Sequence, residues 1–298
     1  MGRKKKGIPL HGWLIIDKPL EVTSTNVVSK VRWVTKAQKV GHGGTLDPLA
    51  TGILPLALGE ATKTVPYVMD GEKTYRFEIT WGEERTTDDL EGEVSVTSDV
   101  RPSEADIQTA LKKFIGIIDQ VPPKYSAIKV NGQRSYKLAR EDQAVELCAR
   151  KIEIKRLVLE KIVDANRAIF EVDCGKGTYI RSLGRDLARH LGTCGYISML
   201  RRTKVGPFLE KDAISLDLDM DIVHSEALLK SLLPIETVLD DISVQALTED
   251  ETQKVRQGMS LKTDRPDCEI IRLMSDNKVV ALATISEGQV RPFRVFNY

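Results

Sequence analysis

The most informative stretch of the sequence is GHGGTLDPLATG, residues 41–52, whose composition is that of a loop. Three glycines among its first four residues permit positive φ values and a close approach of the backbone to a ligand. Asp47 follows them, and the ring of Pro48 biases it towards an extended backbone. These residues alone leave two equal interpretations: a catalytic carboxylate, and an Asx turn in which Asp47 accepts bonds from nearby amides.

Outward from this loop, the chain carries the patterns of both strands and helices. Residues 12–17 predict a short buried strand, and Thr23-Ser24-Thr25 caps a predicted helix through residues 26–34. Residues 74–81 alternate in the manner of a strand. The other expectations are a helix from the Ser103–Asp106 capping box to Gly116, strands at 152–154, 157–159 and 168–174, a helix over 179–191, a partly helical segment 217–241 and short strands over 246–298.

The order of these elements favours an α+β fold, because strands and helices do not alternate as regular βαβ units. A gap between predicted elements near residues 240–244 is the expected domain boundary. It divides the chain into residues 1–243 and residues 244–298.

The composition is that of an ordinary globular chain. Of its 298 residues, 41% are hydrophobic and 29% are charged, with a net charge of +1, which excludes disorder as the main state. No apolar run approaches the ~20 residues of a membrane span, and the apolar run after the basic N-terminus is too short for a signal peptide. The four cysteines lie far apart, so we expect reduced thiols in a cytoplasmic protein without membrane association or a metal site.

The small net charge hides a strong segregation of charge along the chain. From Cys174 to Phe208, seven basic residues accompany one acid, Asp186. From Leu209 to Glu251, twelve acids accompany two lysines, and residues 83–106 form another acidic stretch. This pattern predicts a basic face for a polyanion beside acidic surface that need not touch it. Basic helix faces that are merely solvated are the alternative.

The sequence from Gly41 to Lys63, GHGGTLDPLATGILPLALGEATK, resembles the catalytic motif of the bacterial tRNA pseudouridine-55 synthases, the TruB family. The resemblance covers about residues 10–215 and, more weakly, the last ~50 residues, where 288–296 resembles a small C-terminal β domain related to PUA modules. One departure is Glu141-Asp142, where family members often carry a glycine. Supporting blocks follow in family order at residues 73–75, 120–129, 175–183 and 200–208.

The resemblance implies a fold and a reaction. The expected core is a mixed, mainly antiparallel sheet flanked by helices, with the PUA-like β domain at its C-terminal end. The implied activity is an isomerase that converts the T-loop uridine at tRNA position 55 to pseudouridine by flipping the base and breaking and re-forming its glycosidic bond. The implied partners are the T stem-loop and, through the C-terminal domain, the acceptor stem, bound by a monomer without a cofactor.

The family's catalytic residues map onto three positions. Asp47 matches the catalytic aspartate, which adds at C1′ or deprotonates the sugar to a glycal; addition to uracil C6 is an older proposal. Arg181 matches the arginine that pairs with it and keeps it charged, whereas a phosphate contact is the other interpretation of Arg181. Tyr75 matches the tyrosine that stacks on the target base and is suspected of assisting removal of the C5 proton.

The resemblance and the charges also suggest substrate-binding residues. His42 matches a residue that fills space beside the flipped nucleotide, and Tyr179 is expected to line the same pocket. The expected phosphate contacts are Lys18, Lys63, Lys129, Arg201 and Arg202.

Two further classes of protein fit parts of the sequence. A non-catalytic RNA-binding protein or tRNA-folding chaperone would use the basic segments equally well but would not need Asp47 or Arg181. An unrelated small-molecule enzyme could use the glycine-rich loop, although the basic clusters would then have no explanation. Pseudouridine formation on an unmodified T-stem-loop RNA separates these classes.

Overall fold

The computed structural model describes residues 7–126, 128–130, 133–136, 147–216 and 225–298, and the backbone alone of residues 129, 130, 134, 225 and 227. None of the helices in these ranges is long and apolar enough to cross a membrane. The helices are α1 (Ser24–Thr35), α2 (Val65–Asp70), α3 (Glu104–Leu111), α4 (Ile180–His190), α5 (Ser225–Lys230) and α6 (Glu249–Arg256).

A large mixed sheet organises most of the chain. Among the described residues it has ten strands: β1 (Gly12–Lys18), β2 (Val40–His42), β3 (Ala50–Leu58), β4 (Lys73–Trp81), β7 (Gly116–Gln120), β10 (Arg150–Asp164), β11 (Arg167–Cys174), β12 (Gly195–Val205), β13 (Phe208–Leu209) and β14 (Ile214–Ser215). Two separate hairpins are formed by β5 (Glu83–Arg85) with β6 (Val94–Thr97) and by β8 (Lys129–Val130) with β9 (Gln133–Arg134).

The main path of this sheet runs β14-β1-β3-β12-β4-β11-β10-β7, with β2 paired to β3 and β13 paired to β12. The β1–β14 and β3–β12 pairs are parallel, and the other pairs are antiparallel. The strand register brings three residues together, because Arg202 of β12 lies opposite Tyr75 of β4 and opposite Gly52 of β3.

Helices cover this sheet with apolar faces. Helix α1 buries Val27, Val31 and Val34 in a cluster with residues of β1 and β3. Helices α3 and α4 bury Ile107 and Leu187, among others, in a second cluster with residues of β4, β10 and β11. Removal of this apolar surface from water is the main stabilising contribution.

A second, smaller sheet closes the chain in the order β15-β17-β18-β19-β16. It packs on the first sheet, since Trp13 and Phe208 share an apolar cluster with Val279, Leu282 and Phe296. The two sheets are therefore held against each other by a dry contact. The strands are β15 (Val244–Ala246), β16 (Leu261–Lys262), β17 (Cys268–Ser275), β18 (Lys278–Ser286) and β19 (Gln289–Val295).

The α+β class and the mixed, mainly antiparallel sheet are confirmed, and most predicted elements lie where the patterns indicate. The helix from Ser103 ends early, because the chain tightens into a 3-10 turn at Lys112–Phe114 before β7 begins at Gly116. The two strands expected between residues 152 and 159 are one strand, β10, whose β-bulges interrupt the alternation of its side chains. The region expected to hold only short strands contains α6, opened by a capping box at Thr248 and Glu251.

Candidate active site

The glycine-rich loop crosses from β2 to β3 and is fixed by bonds to neighbouring elements. Ser24, the first residue of α1, accepts a bond from the Leu46 amide at 2.8 Å and donates one to the Leu46 carbonyl at 3.1 Å. The amide of Gly43 donates to the carbonyl of Pro55 at 2.7 Å. Asp47 therefore extends from a backbone that is held on both sides.

Arg202 lies beneath this loop with only 1% of its surface exposed. Its guanidinium donates to the carbonyl oxygens of Gly44, Thr45 and Ile53 at 3.1, 3.3 and 2.9 Å. Gly52 has a φ of +99°, and a Cβ atom there would lie 2.2 Å from the Arg202 carbonyl oxygen. The glycine thus lets β3 approach the backbone of β12 at the point where Arg202 supports the loop.

Lys18 supports the other end of the loop and is fully buried. Its ammonium donates to the carbonyl oxygens of Pro19, Val22 and Pro48 at 2.8, 2.7 and 3.0 Å. The pKa of Lys18 is lowered from 10.5 to about 8, chiefly by burial. The charge of Asp47 opposes this shift, and the charge of Arg202 contributes to it. All three donors of this ammonium are directed at backbone of the chain itself.

Asp47 forms an ion pair with Arg181, whose Nε lies 2.9 Å from Asp47 Oδ2. The side chain of Arg181 is 7% exposed, whereas that of Asp47 is 41% exposed. The two terminal nitrogens of Arg181 donate to the carbonyls of Thr87 and Tyr125 at 3.0 and 2.9 Å. The guanidinium is therefore oriented by backbone, and it contacts Asp47 through Nε.

A second carboxylate contacts the same guanidinium. Asp89 Oδ2 lies 3.5 Å from Arg181 Nε, and the Asp89 side chain is only 10% exposed. The Glu91 amide donates to Asp89 Oδ1 at 3.1 Å, and the Thr87 hydroxyl donates to the same oxygen. Arg181 thus joins an exposed carboxylate to a buried one.

A cavity of about 280 Å³ opens beside the Asp47–Arg181 pair. Its size is near the lower end of small-molecule sites, which are about 300–1,000 Å³. The lining includes Asp47, Tyr75, Tyr179, Arg181, Leu200 and Lys73. The structure thus brings five of the sequence-predicted site residues, Asp47, Tyr75, Tyr179, Arg181 and Arg202, to one cavity.

The two tyrosines occupy different walls of the cavity. Tyr75 lies on β4 between Arg202 of β12 and Val172 of β11, and burial raises its pKa above the ordinary value. Tyr179 precedes α4, and its backbone exchanges two bonds with the side-chain amide of Gln120, at 2.9 and 3.1 Å. Burial raises the pKa of Tyr179 as well. Both phenols are therefore protonated at neutral pH and offer a ring face and an O–H donor rather than a base.

Sequence and structure comparisons show which family has this arrangement. The model of the TruB family pseudouridylate synthase N-terminal domain matches residues 32–180, and that of the tRNA pseudouridylate synthase B C-terminal domain matches residues 181–240. A tRNA pseudouridine synthase B of Rhodospirillum rubrum is 51% identical over 307 residues, which cover 100% of both chains. One from Caulobacter vibrioides is 48% identical over 99% of both chains. The chain belongs to the TruB family.

Solved structures support the fold of this TruB-family chain. A chain of an H/ACA RNP bound to a substrate RNA containing 2′-deoxyuridine superposes with a TM-score of 0.73 at 22% identity, covering 100% of this chain and 92% of that one. A chain of a Cbf5-Nop10-Gar1 complex gives a TM-score of 0.72 at 25% identity, covering 96% and 84%. At such identities the likeness is one of fold, and it confirms the expected pseudouridine-synthase core.

Several residues predicted to contact phosphate instead bind carbonyl or carboxylate groups of the TruB-family chain itself. Lys18 and Arg202 are buried and hold backbone carbonyls, so neither offers a free cation to a phosphate. The Arg201 guanidinium pairs with Asp17 at 2.8 and 3.0 Å and with Glu210 at 2.5 Å. Lys63 donates to Glu60 at 2.5 Å and to the Val295 carbonyl at 2.7 Å, which ties β19 to the first sheet.

Two other predicted residues lie away from these contacts. His42 ends β2 beside the loop and is absent from the lining of the cavity; burial and the charge of Arg202 lower its pKa, so the ring is neutral. Lys129 belongs to β8, and its side chain lies outside the described part of the chain. The roles of both in RNA binding stay predictions.

The basic face of α4, predicted to lie beside acidic surface that need not touch it, is in direct contact with acidic residues. Arg185 pairs with Asp88 at 2.9 Å, and Arg189 forms two bonds with Glu84 at 2.6 and 2.9 Å. Burial raises the pKa of Asp88 to about 6, although the two arginines nearest to it oppose the shift. Carboxylates of the acidic stretch after residue 83 therefore fold onto α4 and pair with its arginines, one pair being buried and the other half-exposed.

Two site residues of the TruB-family chain had no role in the sequence analysis. Asp89 lay in a stretch interpreted as acidic surface, and sequence gives no sign that it would meet Arg181. Lys73 lines the cavity and donates to the carbonyls of Met69 and Gly71, and burial lowers its pKa to about 8. The sequence places Lys73 directly before Thr74-Tyr75, but sequence pattern does not distinguish a lysine that binds carbonyl oxygens from one that is solvated.

Proposed function

We propose that this chain is a tRNA pseudouridine synthase that isomerises the T-loop uridine at position 55, with Asp47, Arg181 and Tyr75 as its catalytic residues. The observation that carries the proposal is the 2.9 Å ion pair between a buried Arg181 and a half-exposed Asp47 at the mouth of a nucleoside-sized cavity. Support also comes from full-length relatives that are named tRNA pseudouridine synthase B.

Asp47 acts as a carboxylate anion, and a fixed cation lies beside it. The Arg181 guanidinium compensates the charge of the carboxylate, and backbone carbonyls fix the guanidinium in place. A carboxylate held in this way can attack the C1′ carbon of a sugar, as in retaining glycosidases, or remove a proton from the sugar to leave a glycal. Both routes break the same N1–C1′ bond.

The atoms balance without a second substrate. Cleavage of the N1–C1′ bond leaves the uracil ring as an anion, which turns so that C5 faces C1′. Formation of the C5–C1′ bond releases Asp47, and the C5 proton is lost while N1 gains one. Tyr75 has an aromatic ring and a protonated phenol, so we assign it the role of stacking on the base and donating a hydrogen bond while the base turns.

The uridine must leave its stack to reach Asp47, at a cost of a few kcal/mol. Tyr179 at the cavity supplies a surface that replaces part of the lost stacking. His42 is proposed to fill space beside the flipped nucleotide. The T stem-loop is the proposed substrate, bound by a monomer in the cytoplasm.

The proposed domain division is 1–243 for catalysis and 244–298 for a PUA-like RNA-binding domain that reaches the acceptor stem. Support comes from the second sheet, whose first strand begins at Val244, and from the C-terminal family model, whose match ends at residue 240. Lys63 Nζ and the Asn297 amide, which bond Val295 and Glu60, hold the two parts together.

The test is an incubation of the protein with unmodified T-arm RNA and no added cofactor, followed by mapping of pseudouridine. We expect product with the wild type and none with Asp47→Asn. Asp119→Asn, at an exposed carboxylate on the edge strand β7, is the matched control and keeps wild-type activity. RNA binding without product by the wild type would contradict the enzyme and favour the chaperone.

A further inference from the structure

Helix α1 has an exposed surface made of one indole and three cations. Trp33 is 54% exposed, Arg32 and Lys36 are exposed, and Lys30 is half-buried beside them. With 3.6 residues per turn, Arg32 and Trp33 lie on the arc of the helix away from the buried valines, and Lys30 lies at the edge of this arc. Lys36 is the C-cap residue that follows the helix, with a φ of +52°. We call Lys30, Arg32, Trp33 and Lys36 the α1 surface.

The cations of this surface have no carboxylate partner among the residues that the structure describes. No acidic residue occurs in the sequence between Glu21 and Asp47. Within the described ranges, none of the three cations lies within 4 Å of a carboxylate, in contrast to Arg185, Arg189 and Arg201. Asn26 and Ser29 complete the arc with neutral hydrogen-bonding groups. A partner with negative charge is therefore the one this surface fits.

The indole is positioned for stacking. Lys30 Nζ lies 5.0 Å from the centre of the Trp33 ring, a cation–π contact that holds the ring against its own helix. Cations near the C-terminus of a helix stabilise it by interacting with the helix dipole, and this effect is sufficient to explain the presence of Arg32 and Lys36. That effect does not account for Lys30 in mid-helix or for an indole left half in water. Aromatic rings interleaved with cations are typical of surfaces that bind nucleic acid.

Helix α1 connects the two regions, because its first residue contacts the catalytic loop and its later residues form the α1 surface. Ser24 at the start of α1 holds Leu46, the neighbour of Asp47. At 1.5 Å per residue, Trp33 lies about 14 Å and Lys36 about 18 Å along the helix from Ser24. An RNA that places one nucleotide at Asp47 can therefore reach the α1 surface with another part of the same molecule.

We propose that the α1 surface is a second RNA-binding surface, which contacts tRNA phosphates outside the nucleotide in the cavity and stacks one unpaired base on Trp33. The proposal rests on the proposed function, since the RNA is the substrate of the same site. Its contribution is to affinity and not to the chemical step, because none of its residues lines the cavity.

Fluorescence gives a direct test. Trp13 and Trp81 are 0% and 3% exposed, so quenching by the neutral molecule acrylamide reports chiefly on Trp33. We expect saturating full-length tRNA to reduce quenching to the level of the Trp33→Phe variant without RNA. Unchanged quenching at saturation would overturn the proposal. Protection that grows with protein concentration in the absence of RNA would overturn it too, since a second copy of the chain would then cover the surface.

Binding measurements supply the second test. Trp33→Ala and the double variant Lys30→Glu/Lys36→Glu should each bind full-length tRNA about tenfold more weakly. The double variant should also show a shallower dependence of affinity on salt. The rate of pseudouridine formation at saturating tRNA should stay within about twofold of the wild type. Lys112→Glu/Lys113→Glu, with the same change of charge at two exposed lysines, is the control.

The two proposals fail in different ways. A wild type that forms no pseudouridine contradicts the proposed function, whatever α1 binds. A wild type that forms pseudouridine, together with α1 variants that bind tRNA as the control does, contradicts only the RNA-binding role of the α1 surface. None of the substituted residues is fully buried, and unchanged thermal unfolding will show that each variant is folded.

Discussion

The cations beneath the catalytic loop and those on the α1 surface have opposite surroundings. Lys18 and Arg202 are buried, and their donors point at backbone carbonyls of the chain. Lys36 is exposed and Lys30 is half-buried, and neither has a carboxylate partner in the described ranges. The first group builds the site and the second is available to a ligand. Whether a lysine or arginine of an RNA-binding enzyme has a structural or a ligand-binding role is therefore decided by the groups to which it already donates hydrogen bonds.

The largest expected effect comes from removing the cation that belongs to the reaction. Arg181→Ala should lower single-turnover pseudouridine formation by about 10³-fold, because Asp47 loses the guanidinium that orients it and compensates its charge. Its affinity for tRNA should stay near that of the wild type, since Arg181 is 7% exposed and held by the chain. A large loss of affinity with an intact rate would instead assign Arg181 to phosphate binding.

Removing a cation that supports the loop should act on stability. Arg202→Met leaves the carbonyls of Gly44, Thr45 and Ile53 without their donor in a buried place, and we expect a loss of about 3 kcal/mol in the free energy of unfolding. Urea titration measures it. Arg189→Met breaks a half-exposed pair with Glu84 and should cost less than about 1 kcal/mol. Equal losses in the two variants would remove the distinction between structural and surface cations.

The smallest expected effect is a pH dependence from Lys18. Its pKa is lowered from 10.5 to about 8, so above about pH 8 the folded protein releases a proton that the unfolded chain keeps until about pH 10.5. Because the unfolded state binds more protons in this window, the free energy of unfolding gains a contribution that rises with pH. Lys18→Met should therefore show a shallower rise than the wild type between pH 8 and pH 10, whereas the exposed Lys112→Met should match the wild type. An equal slope in Lys18→Met would contradict the burial of this charge.

Local pattern was enough to predict β4, α1 and α4, because each has one buried face and a matching period. It was also enough for β1, which is a short apolar run buried on both faces and ended by Asp17 and Lys18. It was not enough for β3 and β12, which form the middle of the sheet. Strand β3 is buried along almost its whole length and contains Gly52 and Pro55, so it does not alternate. Strand β12 includes Arg201, Arg202 and Lys204, and the sequence analysis treated it only as a basic segment.

The same limit applies to the candidate site. Asp47, Tyr75, Tyr179 and Arg181 belong to motifs, so resemblance was enough to propose them together. Asp89 and the roles of Lys18 and Arg202 depend on contacts between residues far apart in the chain. Only the folded backbone brings the carbonyls of residues 44 and 45 over the guanidinium of Arg202. A buried basic residue binds groups of its own chain, whereas an exposed one is available to a phosphate. The local sequence does not show which of the two a single position will be.

The contact of Arg181 with two carboxylates has a consequence for the course of the proposed reaction. Together Asp47, Asp89 and Arg181 carry one negative formal charge before the uridine reacts. When Asp47 becomes an ester at C1′, that charge moves to the departing uracil ring, and Asp89 still balances the guanidinium. The formal charge inside the cavity is then constant from substrate to product. A site with this property can keep its occupant through cleavage and rotation without admitting a counter-ion from the surrounding water.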